Sequence, residues 1–296
     1  MDPLIRKIRP HLLAWLRRSR SGQISFIRRF SYQDVRKATD GFRRILYSDS
    51  DGTAFKAKFQ DGAIAFVKEI KHISQHKHIF YREAQLLGRL NHRHLLALKG
   101  FSVGRKRLLI FDNIENGSLK EHLNDPLKTP LNWKTRLRIA TGVAAALEYL
   151  LIFSNPPMYH VSISSSNIML DENFTAKLSN IGFVSSVENV TTPTPHASCT
   201  TDCMAQSCGK LIYELGVLIL ELVTGQSSEK GSADLVQWVR GSCFRSSMLR
   251  MIDPDLGNSY DSRELQKLLA VARLCINSGN YPKFSILQVF RYLQKS

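Results

Sequence analysis

The apolar positions of the chain change their spacing near residues 30 and 117. Between those points the runs are short. Residues 53–59, 63–69 and 107–112 read as strands, with Asp61 and Gly62 as the turn joining the first two. A helical stretch near 79–90 lies between the second and third. Beyond 117 helical spacing takes over, and Leu131–Ile152 contains the run LRIATGVAAALEYLLI. Strand-like pieces at 168–170 and 175–178 follow, and the Thr/Ser/Cys-rich stretch 185–208 reads as irregular. The run LIYELGVLILELV (Leu211–Val223) then predicts a buried helix over 210–224, with further helices to the C-terminus. No internal repeat is visible. A small β-rich part followed by a larger helical part predicts an α+β fold in two lobes.

Composition adds to this picture at the N-terminus. With 296 residues the chain can bury a full core, and its 43% hydrophobic and 22% charged content is ordinary for a folded protein. The net charge of +16 is uneven: residues 1–45 hold 12 Lys/Arg against 3 Asp/Glu. Residues 1–29 therefore read as a basic leader. Its apolar residues Ile5, Ile8, Leu12, Trp15 and Leu16 fall near helical spacing among arginines, a pattern suited to an anionic membrane surface. No secretory signal is visible and no apolar run reaches the ~18 residues of a membrane span. The expected location is cytoplasmic, peripheral on the inner face of the plasma membrane. The five cysteines are expected to be free thiols.

Four stretches then carry a family resemblance. FSYQDVRKATDGF (Phe30–Phe42), FDNIENGSLKEHL (Phe111–Leu123), LNWKTRLRIATGVAAALEYL and LGVLILELVTG stand in the order seen in protein kinase domains. The chain resembles the plant receptor-like protein kinase family over about residues 30–293, as a catalytically degraded pseudokinase member. The resemblance implies a bilobal protein-kinase-like fold, with an N-lobe of about 30–112 and a C-lobe of about 117–293.

It also assigns positions to the working parts. AFVK (Ala65–Lys68) matches the strand whose Lys anchors phosphates, and Glu83 takes the position of the helix Glu that pairs with it. Of the three phosphate-loop glycine positions, Tyr47, Asp49 and Gly52, only the last is glycine. Phe66 replaces the small residue against which adenine lies, and Ala54 replaces its facing Val, so Phe66 is expected to block the base. In MYHVSISSSNIMLD the catalytic Asp position is Ser162, flanked by Val161 and Ser164 where Arg and Lys are usual, and Asn167 remains as a metal-ligand position. Asn180 in SNIGF replaces the metal-binding Asp, and Ile181 stands at the Phe position. Leu211 replaces an Asp that ties down the catalytic loop, and Lys283 replaces an Arg paired with a Glu that the activation segment lacks.

A serine is a poor general base near neutrality, and Mg²⁺ prefers carboxylate oxygen. No catalytic residue, metal or bound ATP is therefore expected. Lys68, Glu83, Asn167 and Asn180 form a remnant nucleotide site. The implied function is a signalling scaffold or an allosteric or competitive partner of active receptor-like kinases or their substrates. Two other readings stay open: a weak ATP-dependent Ser/Thr kinase with a rearranged site, and anionic-surface or nucleic-acid binding through residues 1–45. Nucleic acid is not favoured, because the basic leader lacks interleaved aromatics. The spacing of His196, Cys199, Cys203 and Cys208 is loose for zinc.

Overall fold

The computed structural model describes residues 27–48, 52–71, 77–182, 199–226, 235–241, 250–278 and 284–294. The leader up to residue 26, Asp49, His72, His76, His196, Cys243 and Lys283 lie outside them, as do the side chains of Cys199 and Cys203.

The N-terminal lobe is built on a six-stranded sheet. Its strands are β1 (Arg28–Arg29), β2 (Ile45–Ser48), β3 (Thr53–Lys58), β4 (Ile64–Glu69), β5 (Leu98–Val103) and β6 (Arg107–Phe111), in the order β1-β5-β6-β4-β3-β2. Strand alternation divides its side chains between two faces. Phe55, Ala57, Ala65, Val67, Leu108 and Ile110 pack on one face with Val35 and Ala38 of helix α1 (Tyr32–Ala38). Ala54, Phe66, Leu109 and Phe111 belong to the other face and join the main core with residues of the C-terminal lobe. The expected turn forms at Asp61–Gly62, where Asp61 Oδ1 accepts from the Ala63 amide at 3.0 Å.

Helix α2 (Lys77–Leu87) starts two residues before its predicted position. In the second lobe the local sequence sets the helix starts. Ser118 and Glu121 form a reciprocal capping box on α3 (Leu119–Asn124). Asn132 caps α4 (Trp133–Glu148), which widens into a π-turn over Tyr149–Phe153. A two-stranded ribbon, β7 (Ile168–Leu170) with β8 (Ala176–Leu178), carries the loops of the site.

Helix α5 spans Cys199–Thr224, so the irregular reading of 185–208 fails at its C-terminal end. The central helix extends eleven residues beyond its predicted start. Leu211, Ile212, Leu215, Leu218, Ile219, Leu222 and Val223 bury its apolar length. It packs on α6 (Ser262–Asn277), whose N-terminus Asp261 caps. The chain ends on α7 (Ile286–Gln294), packed against α4.

One buried ion pair holds this lobe and was not anticipated. Arg136 of α4 is 1% exposed. Its Nη2 lies 2.6 Å from Asp253 Oδ2, while Nε and Nη1 donate to the carbonyls of Leu131 and Leu222 at 2.8 and 2.9 Å. A desolvated guanidinium is tolerated when its donors are met in this way.

Candidate functional site

The site lies between the lobes. Its roof is β3, β4 and β6, and its floor is the 160–167 loop with the 179–182 loop.

Phe66 is placed by strand register opposite Lys56 on β3 and Phe111 on β6. It is 2% exposed, and its ring stands 6.1 Å from Tyr47 on one side and 6.1 Å from Phe111 on the other. Such tilted aromatic contacts are favourable beyond the area they bury. The three rings thus form a row of tilted aromatic contacts on the face of the sheet turned to the second lobe. Ala54 beside it is fully buried, and Leu119 and Met169 of the second lobe belong to the same apolar cluster. This register and burial put the Phe66 ring in the apolar cluster shared with the C-terminal lobe. Tyr47, at the first phosphate-loop glycine position, contributes an aromatic ring to the row.

Gly52 has a structural reason to remain glycine: a Cβ there would run into the carbonyl oxygen of Glu69 on the neighbouring strand.

Lys68 is 4% exposed, opposite Ala54 and Leu109. Glu83 is half-buried on α2, with its carboxylate 3.5 Å from Arg82 of the same helix. The neighbouring Glu69 is engaged by Lys106 at 2.6 Å, whose ammonium also lies over the rings of Phe42 and Phe55.

The floor is a hydrogen-bonded assembly of neutral groups. Asn167 Nδ2 donates to Ser162 Oγ at 3.2 Å. The Asn167 carbonyl accepts from both the amide and the hydroxyl of Ser179, at 3.0 and 2.8 Å. The Ser162 amide donates to the Asn180 carbonyl at 3.3 Å, and Val161 bridges to Ile181. The hydroxyls of Ser164 and Ser166 are 2.9 Å apart. Ser162 and Asn167 are therefore joined through their side chains and Asn180 through its backbone carbonyl, and the three side chains are hydroxyl and amide. That set does not suit Mg²⁺, which favours carboxylates and holds its waters tightly. Among the described residues no group of three His, Cys, Asp or Glu could hold a metal ion.

The apolar part of the loop keeps its packing. Ile181 is 7% exposed, in a cluster with Leu87, Leu90, Leu95, Leu96, Leu98 and Phe111 that leaves only about 10 Å³ of space. Gly182 follows at φ +92°, a backbone state that side chains disfavour, and its amide reaches the His160 carbonyl at 2.8 Å.

The tie between α5 and the 160–167 loop is made by a residue other than Leu211. Leu211 is buried as expected of an apolar residue, but the tie is not lost. Glu214, one turn further along the same helix face, accepts from the Ile163 amide at 2.9 Å. Burial pushes the Glu214 carboxyl above its ordinary range, while the Ile163 amide and Lys210, 3.8 Å away, pull it back.

Cys208 and Cys275 are free, and burial pushes the Cys275 thiol up to about 12. No helix among the described residues is long and apolar enough to cross a membrane.

These features match known proteins closely enough to give the family. Residues 48–231 match the family of protein tyrosine and serine/threonine kinases. An Arabidopsis thaliana chain described as a probable receptor-like protein kinase is 39% identical over 92% of this chain. The Arabidopsis thaliana proline-rich receptor-like protein kinase PERK8 is 32% identical over 93%. The chain spans about 44% of the length of each of these two relatives. Among solved structures, the pseudokinase domain of BIR2, an immune regulator of the RLK/Pelle family, is 28% identical. It aligns with a TM-score of 0.74 over 89% of this chain and 83% of its own. The pseudokinase DRIK1 shares the fold at a TM-score of 0.70, with 20% identity over 91% of this chain and 96% of its own. The two lobes, the sheet with Lys68, and the loops that carry Asn167 and Asn180 thus belong to a protein kinase domain, and the chain is a member of the plant receptor-like protein kinase family.

Proposed function

We propose that this chain is a pseudokinase that works by binding active receptor-like kinases or their substrates, without transferring phosphate. The observation that carries the reading is the pairing of a filled cleft with a neutral floor. Phe66 makes tilted ring contacts with Tyr47 and Phe111, at the position that the resemblance gives to a wall of the adenine pocket. Asn167 donates to the Ser162 hydroxyl, the Asn180 backbone carbonyl accepts from the Ser162 amide, and none of the three carries a carboxylate. General-base and electrostatic contributions are each commonly worth about 10²-fold or more in rate, and both lose their carriers here. The kinship with the BIR2 pseudokinase domain supports the same reading. The place of action is the cytoplasmic membrane face, with the basic leader as the membrane-directed part.

The reading is tested by incubating the purified chain with radiolabelled ATP, Mg²⁺ or Mn²⁺, and a general substrate protein. Labelling should not exceed that of a Lys68→Ala control. Transfer that disappears in Lys68→Ala would instead establish the weak-kinase alternative.

A further inference from the structure

Away from the cleft, a groove of about 1040 Å³ runs between α4, the 92–94 segment, the β7–β8 turn and α7. Its walls combine two chemistries. Leu137, Phe174 and Phe290 give it apolar surface, and Arg93, Lys134 and Arg138 give it charge. Among the described residues no Asp or Glu lines it. Its two histidines, His92 and His94, are both held below their ordinary pKa by burial and by neighbouring cations, so near neutrality they add no charge of their own.

The cations are differently engaged. Arg138 donates to the Asn173 carbonyl at 2.9 Å. Among the described residues, the side chains of Arg93 and Lys134 meet no carboxylate, and both are exposed. The nearby Asp171 is already taken by Lys177 at 3.6 Å. The groove therefore presents an uncompensated positive rim above an apolar floor.

We propose that this groove docks an acidic segment of a partner protein, in which Asp or Glu residues flank a bulky apolar anchor. Charge complementarity selects the acidic residues, and the apolar walls receive the anchor, as in interfaces where a few buried anchors dominate within a polar rim. A membrane surface fits less well, since a concave groove cannot lay its floor against a lipid headgroup plane. The inference deepens the partner-binding reading and rests on it. Its test uses a purified peptide, so its failure leaves the phosphotransfer result untouched.

The probe is a short fluorescein-labelled peptide in which glutamates flank a Leu-Trp pair, followed by anisotropy with the full chain. The control peptide has Ser-Ser in place of the pair. Arg93→Glu with Lys134→Glu should weaken binding by more than about tenfold. Reversal of the exposed strand cations, Lys56→Glu with Lys58→Glu, should leave it within about twofold, since those charges lie on the other lobe. The Ser-Ser peptide should bind weakly to every variant. Equal loss in both charge-reversal variants, or equal binding of both peptides, would overturn the proposal in favour of unspecific attraction to a basic chain. Absence of binding would also overturn it. So would displacement of the peptide by phosphatidylserine vesicles that bind unreversed chain but not the Arg93/Lys134 variant, which would assign the face to a membrane.

Discussion

Two polar assemblies in the helical lobe have opposite designs. Around Arg136, charge is kept: a buried guanidinium meets Asp253 and two backbone carbonyls. Around Asn167, charge is gone, and amides and hydroxyls hold one another. The first assembly joins α4, the end of α5 and the 253 turn, so its charges stabilise the lobe. In the kinase relatives the resemblance assigns the second to metal and proton handling, which needs carboxylates that cost stability when buried without an ion. In the pseudokinase reading proposed above that handling is not required, and neutral groups that bond locally are the better-tolerated solution. Glu214 sharpens the contrast: the carboxylate retained near the loop is one that holds backbone.

The largest effect is expected at the first assembly. Arg136→Met leaves Asp253 buried without its partner and should lower unfolding free energy by about 3–5 kcal/mol in urea denaturation. A loss below about 1 kcal/mol would show that the two assemblies differ little in their structural weight.

The cleft comes next. Phe66→Ala removes the central ring of the row and should cost about 3–5 kcal/mol if the site stays empty. It should also open room on the cleft face, so that the variant, unlike the parent, gains stability from added adenosine. A variant that loses stability but still ignores adenosine would show that the Phe66 ring does not close the slot.

The loop tie is weaker. Glu214→Leu strands the Ile163 amide and should cost about 1–3 kcal/mol, with faster hydrogen exchange at Ile163. Glu214→Gln keeps an acceptor and should restore most of the protection.

The smallest effect concerns pH. His94 accepts burial beside Arg93 and Lys177, with its Nδ1 3.1 Å from the Ala176 carbonyl, and its pKa falls to about 4. The unfolded chain binds this proton near 6.5, so between about 6.5 and 4 it holds more of it than the folded chain. Stability should therefore fall as pH falls through that window. His94→Gln should flatten the slope of melting temperature against pH there. An unchanged slope would remove His94 from the account.

The sequence made the lobes legible because kinase motifs and helical spacing reinforce one another, and because strands β3, β4 and β6 bury regular apolar positions. It concealed β2, whose Ile45 and Leu46 are exposed, and β5, whose run LKGFSV is interrupted by Gly100 and an irregular register. The first turns of α5 are rich in Thr, Ser and Cys, weak helix formers that lie at the start of a long buried helix. At the site, alignment identified Ser162, Asn167 and Asn180, since side-chain type alone shows a missing carboxylate. Glu214 was not legible as a tie because it stands one helical turn from the position that the family motif marks, and the Arg136–Asp253 pair because its partners are 117 residues apart.

The central claim is that the cleft is packed with this chain's own aromatic rings above a floor that, among the described residues, offers no acid for a metal. It is tested most directly by the melting temperature of the purified chain titrated with ATP and Mg²⁺ into the millimolar range. The account predicts an unchanged melting temperature at every concentration. A saturable rise that requires both ATP and Mg²⁺ would contradict it.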